Sequence, residues 1–284
     1  MYELAEGETE ARQVPDRRPG AAAAFETRSS ADQPGATVAS SPRSGKNDND
    51  RDRLLRFWRT QRAAMDAMKL EQDNAKAIGL FREAIVLNPR HEDSRYYLGL
   101  CLASQGDTLG ALTALAELQQ LNPQSHRAWQ QWGVLRALAA ENDDDLAAAQ
   151  EALKEAHRLN PEETGALLVL GEVALLRGDL KLADERFAAA THTNPRAVGG
   201  FFLRGYLAWK HGDDPTARQF LEQARAALGP EWQPEGATSE GDVKRRQHIE
   251  KTPLATYWEA WNGQPEPETV FGALQARLAS TPSP

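Results

Sequence analysis

Four Asn-Pro dipeptides, Asn88-Pro89, Asn122-Pro123, Asn160-Pro161 and Asn194-Pro195, set their prolines 34, 38 and 34 residues apart. Proline disfavours helical geometry in the residue before it, so each dipeptide predicts a helix end. Ends repeated at this period point to stacked helix pairs, since one pair cannot bury its apolar side alone. The same regularity bounds function. Stacked repeats build an extended surface for another macromolecule and seldom enclose a catalytic pocket.

The segment between successive prolines has a constant internal plan. Leu167, Leu170, Gly171 and Ala174 make the stripe of a first helix, Gly178-Asp179 breaks it as a turn, and Ala183, Phe187 and Ala190 form a second helix ending at Asn194-Pro195. The preceding units repeat this in phase: Leu98, Gly99, Leu102, Gly106-Asp107, Ala111, Leu115 and Pro123, then Trp129, Trp132, Gly133, Ala149, Leu153, Ala156 and Pro161. The last unit reads Phe201, Gly205, Ala208, Gly212-Asp213, Ala217, Leu221 and Ala224, and stops at Gly229-Pro230. Upstream, Ala77, Phe81, Ala84 and Pro89 are a clean second helix. Its partner, about residues 53 to 70, is irregular, with Leu54, Phe57, Trp58, Ala64 and Met68 as apolar positions. Extra residues near Glu141 to Asp145 replace one Gly-Asp turn.

These residues resemble the tetratricopeptide repeat family, whose units carry a bulky-Leu-Gly first helix and then Ala, Phe, Ala and Pro at these offsets. The resemblance implies an all-α fold, a right-handed superhelix of antiparallel helix pairs. Its concave groove would be lined by first helices. Five units are expected, about 53–89, 90–123, 124–161, 162–195 and 196–230.

Outside the repeats the composition changes. Residues 1–52 are rich in Ala, Ser, Gly, Pro and charge, with only Tyr2 and Phe25 as aromatics, and read as a disordered tail too apolar-poor to offset ordering entropy. Through Arg56 there are ten acidic and nine basic residues, so nearly all of the net charge of −8 belongs to the folded part that follows. That acidity argues against nucleic acid as a partner. No apolar run has transmembrane length. Met1 followed by Glu3, Glu6 and Glu8 is no secretory signal, so the expected location is cytoplasmic; export is the alternative if translation starts elsewhere.

Residues 231–284 leave the pattern: a linker, with a short helix expected near Asp242 to His248, precedes two helices. Leu254, Tyr257, Trp258 and Trp261 fall at helical spacing, as do Phe271, Leu274 and Leu278 between about Glu268 and Leu278. Both helices are expected to cap the exposed end of the array.

Catalytic signatures are missing: no phosphate-binding Gly loop, HExxH, cysteine pair at metal spacing or Gly-x-Ser-x-Gly elbow occurs, and no cofactor or metal is expected. His91, His126, His157, His192, His211 and His248 follow the repeat and mark turns and helix ends. Asn142-Asp143-Asp144-Asp145 lacks the alternation and glycine of a calcium loop and reads as a capped turn. Lys244-Arg245-Arg246 is a solvated basic cluster. Cys101 lies among Leu98 and Leu102 as a buried thiol, and one cysteine cannot form an internal disulfide.

The groove-facing positions implied by the family carry Tyr96 and Leu100 in one unit, then Arg127, Gln130 and Val134, then Leu168 and Glu172, then Phe202, Tyr206, Trp209 and Lys210. The Lys and Asn clamp of chaperone-tail binders is absent from them. Such a face suits an amphipathic helix or an extended peptide, and its aromatic end either receives a partner or is covered by the chain's own Trp258 helix. The expected function is a non-enzymatic scaffold for a protein or peptide. The alternatives are an assembly factor for a membrane or secreted complex, or a helper subunit of an enzyme on another chain.

Overall fold

A computed structural model of the chain describes residues 45–228, 252–259, 261 and 266–279. Ten helices form five antiparallel pairs: α1 (Gly45–Lys69) with α2 (Asn74–Leu87), α3 (Glu92–Ser104) with α4 (Thr108–Leu121), α5 (His126–Leu138) with α6 (Asp143–Leu159), α7 (Thr164–Leu176) with α8 (Leu180–Thr193), and α9 (Val198–Lys210) with α10 (Asp214–Leu228). Each helix packs on the one before it and the one after it, which is the translation of a solenoid. The last described helices are α11 (Ala255–Glu259) and α12 (Pro267–Ala279). No strand occurs among the described residues.

The Asn-Pro corners at Asn88, Asn122 and Asn194 work by two devices. Proline holds the asparagine extended (φ −136° and ψ 88° at Asn88), while the asparagine N–H still closes the last helical turn on Ala84. The side chain then turns the chain over the proline: the Oδ1 atoms of Asn88, Asn122 and Asn194 accept from the N–H groups of Arg90, Gln124 and Arg196 at 3.2, 3.0 and 2.9 Å. The corner therefore needs both residues.

The Gly-Asp turns are equally specific. Gly106, Gly178 and Gly212 have φ of +81°, +79° and +76°, the left-handed geometry that ends a helix in a Schellman motif. The aspartates that follow cap the second helix, Asp107, Asp179 and Asp213 accepting from the N–H groups of Gly110, Leu182 and Thr216. In the first unit Gln72 occupies the left-handed position at φ +55°, before the capping Asp73. In the third unit Asn142 caps α6 and the carboxylate of Asp145 meets Arg136, so the acidic run is a capped turn.

One expectation changes. Helix α1 begins at Gly45, inside the stretch read as a disordered tail, because a run of charged residues without apolar period gives no sign of a helix. Its inward face is Phe57, Gln61, Ala64 and Ala67, while Leu54 and Trp58 are half-exposed. The polar Gln61 interrupts that stripe in sequence, yet it is buried and accepts the Ser94 hydroxyl at 2.7 Å. His91 packs on Phe57 and Trp58, and its Nδ1 accepts the Ser94 N–H to cap α3. The expected helix near Asp242 to His248 lies outside the described residues.

A left-handed backbone costs a non-glycine residue about 1 kcal/mol. Gln72→Gly is expected to raise unfolding stability by about 0.5 kcal/mol, after the extra chain entropy of glycine is subtracted, and Gly178→Ala to lower it by about 1 kcal/mol. Urea melts followed by circular dichroism measure both, and equal effects of the same sign would contradict the assignment.

Candidate partner-binding groove

The first helices α3, α5, α7 and α9 carry the candidate groove residues, and the structure divides them into two zones. In the upstream zone the guanidinium of Arg127, on α5, lies 4.7 Å over the ring centre of Tyr96 on α3. It also donates to Asp93 Oδ1 at 2.8 Å, which holds its pKa above the usual value. An aromatic face and a carboxylate thus fix an exposed cation between two repeats. Leu100 is half-buried on the same helix as Tyr96, whereas Gln130 and Val134 of α5 are almost wholly buried.

The downstream zone is covered by the chain itself. Glu172, in the middle of α7, has no exposed surface; its Oε1 accepts the Thr252 hydroxyl at 2.8 Å and its Oε2 the Leu254 N–H at 3.0 Å. Leu254 and Trp258 belong to the turn and helix of α11 that lie on this face, and Gly199 of α9 meets the Trp258 indole so closely that an added Cβ would sit 3.1 Å from it. The same Cβ would lie 3.3 Å from Leu168, so the indole is seated between two repeats. Trp261 and Phe271 close over Phe202 at ring separations of 5.6 and 5.3 Å. Phe271 also packs on Tyr206 and Trp209, and the Trp209 indole donates to Glu268 at 3.0 Å. Phe202 and Tyr206 are fully buried, while Lys210 is exposed with its ammonium 5.9 Å from the Tyr206 ring centre.

The two C-terminal helices therefore divide the work. Helix α12 rests on α9 and α10 and closes the end of the array, as expected for a cap. Helix α11 does not follow the array outward but turns back onto groove positions of α7 and α9, shorter than its aromatic spacing suggests. Thr252 escapes sequence reasoning, and Leu254 was legible only as a stripe position, because their contacts with Glu172 depend on that return. A pair of glycines, Gly199-Gly200, at the start of a first helix is the one signal that a bulky group must fit there.

Burial dominates the electrostatics of Glu172 and pushes its pKa up to about 7, although the hydrogen bonds from Thr252 and Leu254 favour the charged form. Glu259, on α11, adds repulsion in the same upward direction. The Trp258 indole N–H approaches the carboxylate without reaching hydrogen-bond geometry. Cys101 is buried and its thiol is pushed up to about 11, which leaves no nucleophilic thiolate at neutral pH.

A carboxyl group whose pKa is raised in the docked state binds a proton more tightly there than when exposed. Docking of α11 is accordingly strongest below the ordinary carboxylate pKa of 4.5 and weakens as pH rises through about 7. The full change is on the order of 3 kcal/mol. Tryptophan fluorescence titrated between pH 5 and 9 is expected to show this loosening in the native chain and a flat profile in Glu172→Gln. A pH-independent signal in both would contradict the linkage.

The sequence profile described as "Tetratricopeptide repeat" matches residues 62–126, 134–183 and 178–231, more than half of the chain. No curated protein matches. Among solved structures, MamA 41-end from Desulfovibrio magneticus RS-1 is similar at 16% identity and a TM-score of 0.55, over 62% of this chain and 97% of that one. A tetratricopeptide repeat protein from Parabacteroides merdae ATCC 43184 aligns at 13% identity and a TM-score of 0.57, over 80% of this chain and 77% of that one. YrrB, described as "a TPR protein with an unusual peptide-binding site", aligns at 17% identity and a TM-score of 0.50, over 61% of this chain and 86% of that one. At these identities the likeness is one of fold. Repeats of this kind generally serve as protein–protein interaction modules. In the described residues no helix is long and apolar enough to cross a membrane. The chain belongs to the tetratricopeptide repeat family.

Proposed function

We propose that this chain is a non-enzymatic adaptor that docks a partner protein along the upstream zone of its groove, through a peptide or helix laid across α3, α5 and the start of α7. The observation that carries this reading is the Tyr96–Arg127–Asp93 cluster. It holds an exposed cation and an aromatic ring at the junction of two repeats, on helices that also carry the half-buried Leu100 and the exposed Leu138. An arginine held in this way by an aromatic face and a carboxylate loses little entropy when a ligand engages it, which favours recognition. Aromatic and arginine side chains also provide most binding hot spots.

The peptide-binding site named for YrrB supports the reading by analogy of fold, because the same helical scaffold is there described as binding a peptide. The downstream zone fits such a role less simply, since Phe202, Tyr206 and Glu172 lie under α11 and α12. Substituting Tyr206 or Trp209 would disturb their packing on Phe271 as well as any binding.

The test is affinity capture with the full chain, partners being quantified by mass spectrometry for the native protein and for Tyr96→Ala with Arg127→Ala. Loss of two hot-spot side chains should lower recovery of the specific partner at least about tenfold. Unchanged recovery, with the helical signal intact, would contradict the assignment.

A further inference from the structure

Three features separate α11 from an ordinary cap. The end of the array is already closed by α12, whose Phe271 fills the space beside Gly205 and between Phe202, Tyr206 and Trp209. The contacts of the 252–258 segment instead cross from one repeat to the next, reaching Glu172 of α7 and Gly199 of α9, with Leu168 packed against the same cluster. At the floor stands a wholly buried carboxylate, where a permanent contact would be served at least as well by an apolar side chain. A buried acceptor that reads one hydroxyl and one backbone N–H discriminates between occupants.

The fit is also incomplete. Trp258 Nε1 and the Tyr206 hydroxyl are both buried and lack a hydrogen-bond partner. Buried donors left unsatisfied weaken the hold of the resident segment and so lower the cost of its exchange.

Resting on the reading of this face as the ligand-binding side of the solenoid, we propose that the Leu168–Glu172–Gly199 pocket is a second recognition site. Its ligand is a partner's peptide carrying a hydroxyl residue followed six positions later by tryptophan, and Thr252 to Trp258 is the resident competitor. The hydroxyl and the N–H two residues beyond it satisfy Glu172, and the indole fills the space left open by Gly199. Binding from outside then requires the resident segment to leave. The apparent dissociation constant of a ligand is raised by the reciprocal of the fraction of molecules in the open state.

The probe is a fluorescein-labelled synthetic peptide with the sequence of residues 251–262, titrated by anisotropy into the full chain. Trp258→Ala, which empties the pocket, is expected to bind it at least about tenfold more tightly than the native chain. Thr252→Val, which deletes one donor only, should shift affinity in the same direction by less, and gives a reading even if Trp258→Ala folds poorly. Adding Gly199→Leu to either variant should abolish the gain. Binding no tighter in both variants than in the native chain, or insensitive to Gly199→Leu, would overturn the proposal. So would sedimentation showing a native dimer that Trp258→Ala converts to monomer, because the pocket would then be filled by a second copy. A negative result here with capture still dependent on Tyr96 and Arg127 confines recognition to the upstream zone, whereas loss of both removes the groove reading itself.

Discussion

Close approach within each helix pair is the contact on which the rest depends. A Cβ added at Gly99, Gly133 or Gly171 would fall 2.9, 2.7 or 2.4 Å from Leu115, Leu153 or Phe187 of the paired helix. Glycine in a helix interior costs roughly 0.5–1 kcal/mol. Full burial of a leucine or phenylalanine contributes about 1.5–3 kcal/mol, so the exchange favours the pair. Alanines complete the seam, with Ala111, Ala149, Ala183 and Ala217 wholly buried. The short Asn-Pro and Gly-Asp corners hold the paired helices in register, and the pairs then stack because each leaves an apolar face that only its neighbour can cover.

Much of this was legible because it is local. The corners, the small residues and the large residue opposite them recur at fixed offsets, and local constraints of that kind survive as sequence period. Helix α1 was less legible: Gln61 takes a core position by pairing with Ser94, a contact between residues 33 apart that no periodicity reveals. The family resemblance implied which first-helix positions would line a groove, but could not say which of them remain accessible. Tyr96 and Arg127 stay on an accessible face, while Glu172, Phe202 and Tyr206 disappear beneath residues about eighty or sixty positions away in the chain. The aromatic stripe of Leu254, Trp258 and Trp261 announced a buried helix without naming the surface that buries it.

The two zones consequently differ in physical character. Upstream, recognition would depend on an exposed, prearranged cation and is sensitive to ionic strength. Downstream, the chemistry is desolvated: a carboxylate in a dry pocket, an indole against a glycine and aromatic rings in edge contact. The raised pKa of Glu172 is the electrostatic signature of that burial, and it couples occupancy of the pocket to pH near neutrality.

An occupant of the solenoid, unlike a part of its core, opens without the array unfolding. Native-state hydrogen exchange tests this most directly, by comparing amides of residues 254–259 with those of α7 and α9 that they cover. Local opening should leave the α11 amides protected at least ~100-fold less than the α7 and α9 amides, with the latter exchanging only through unfolding of the array. Equal protection in all three segments would show that α11 opens only when the whole solenoid does, and would contradict the account.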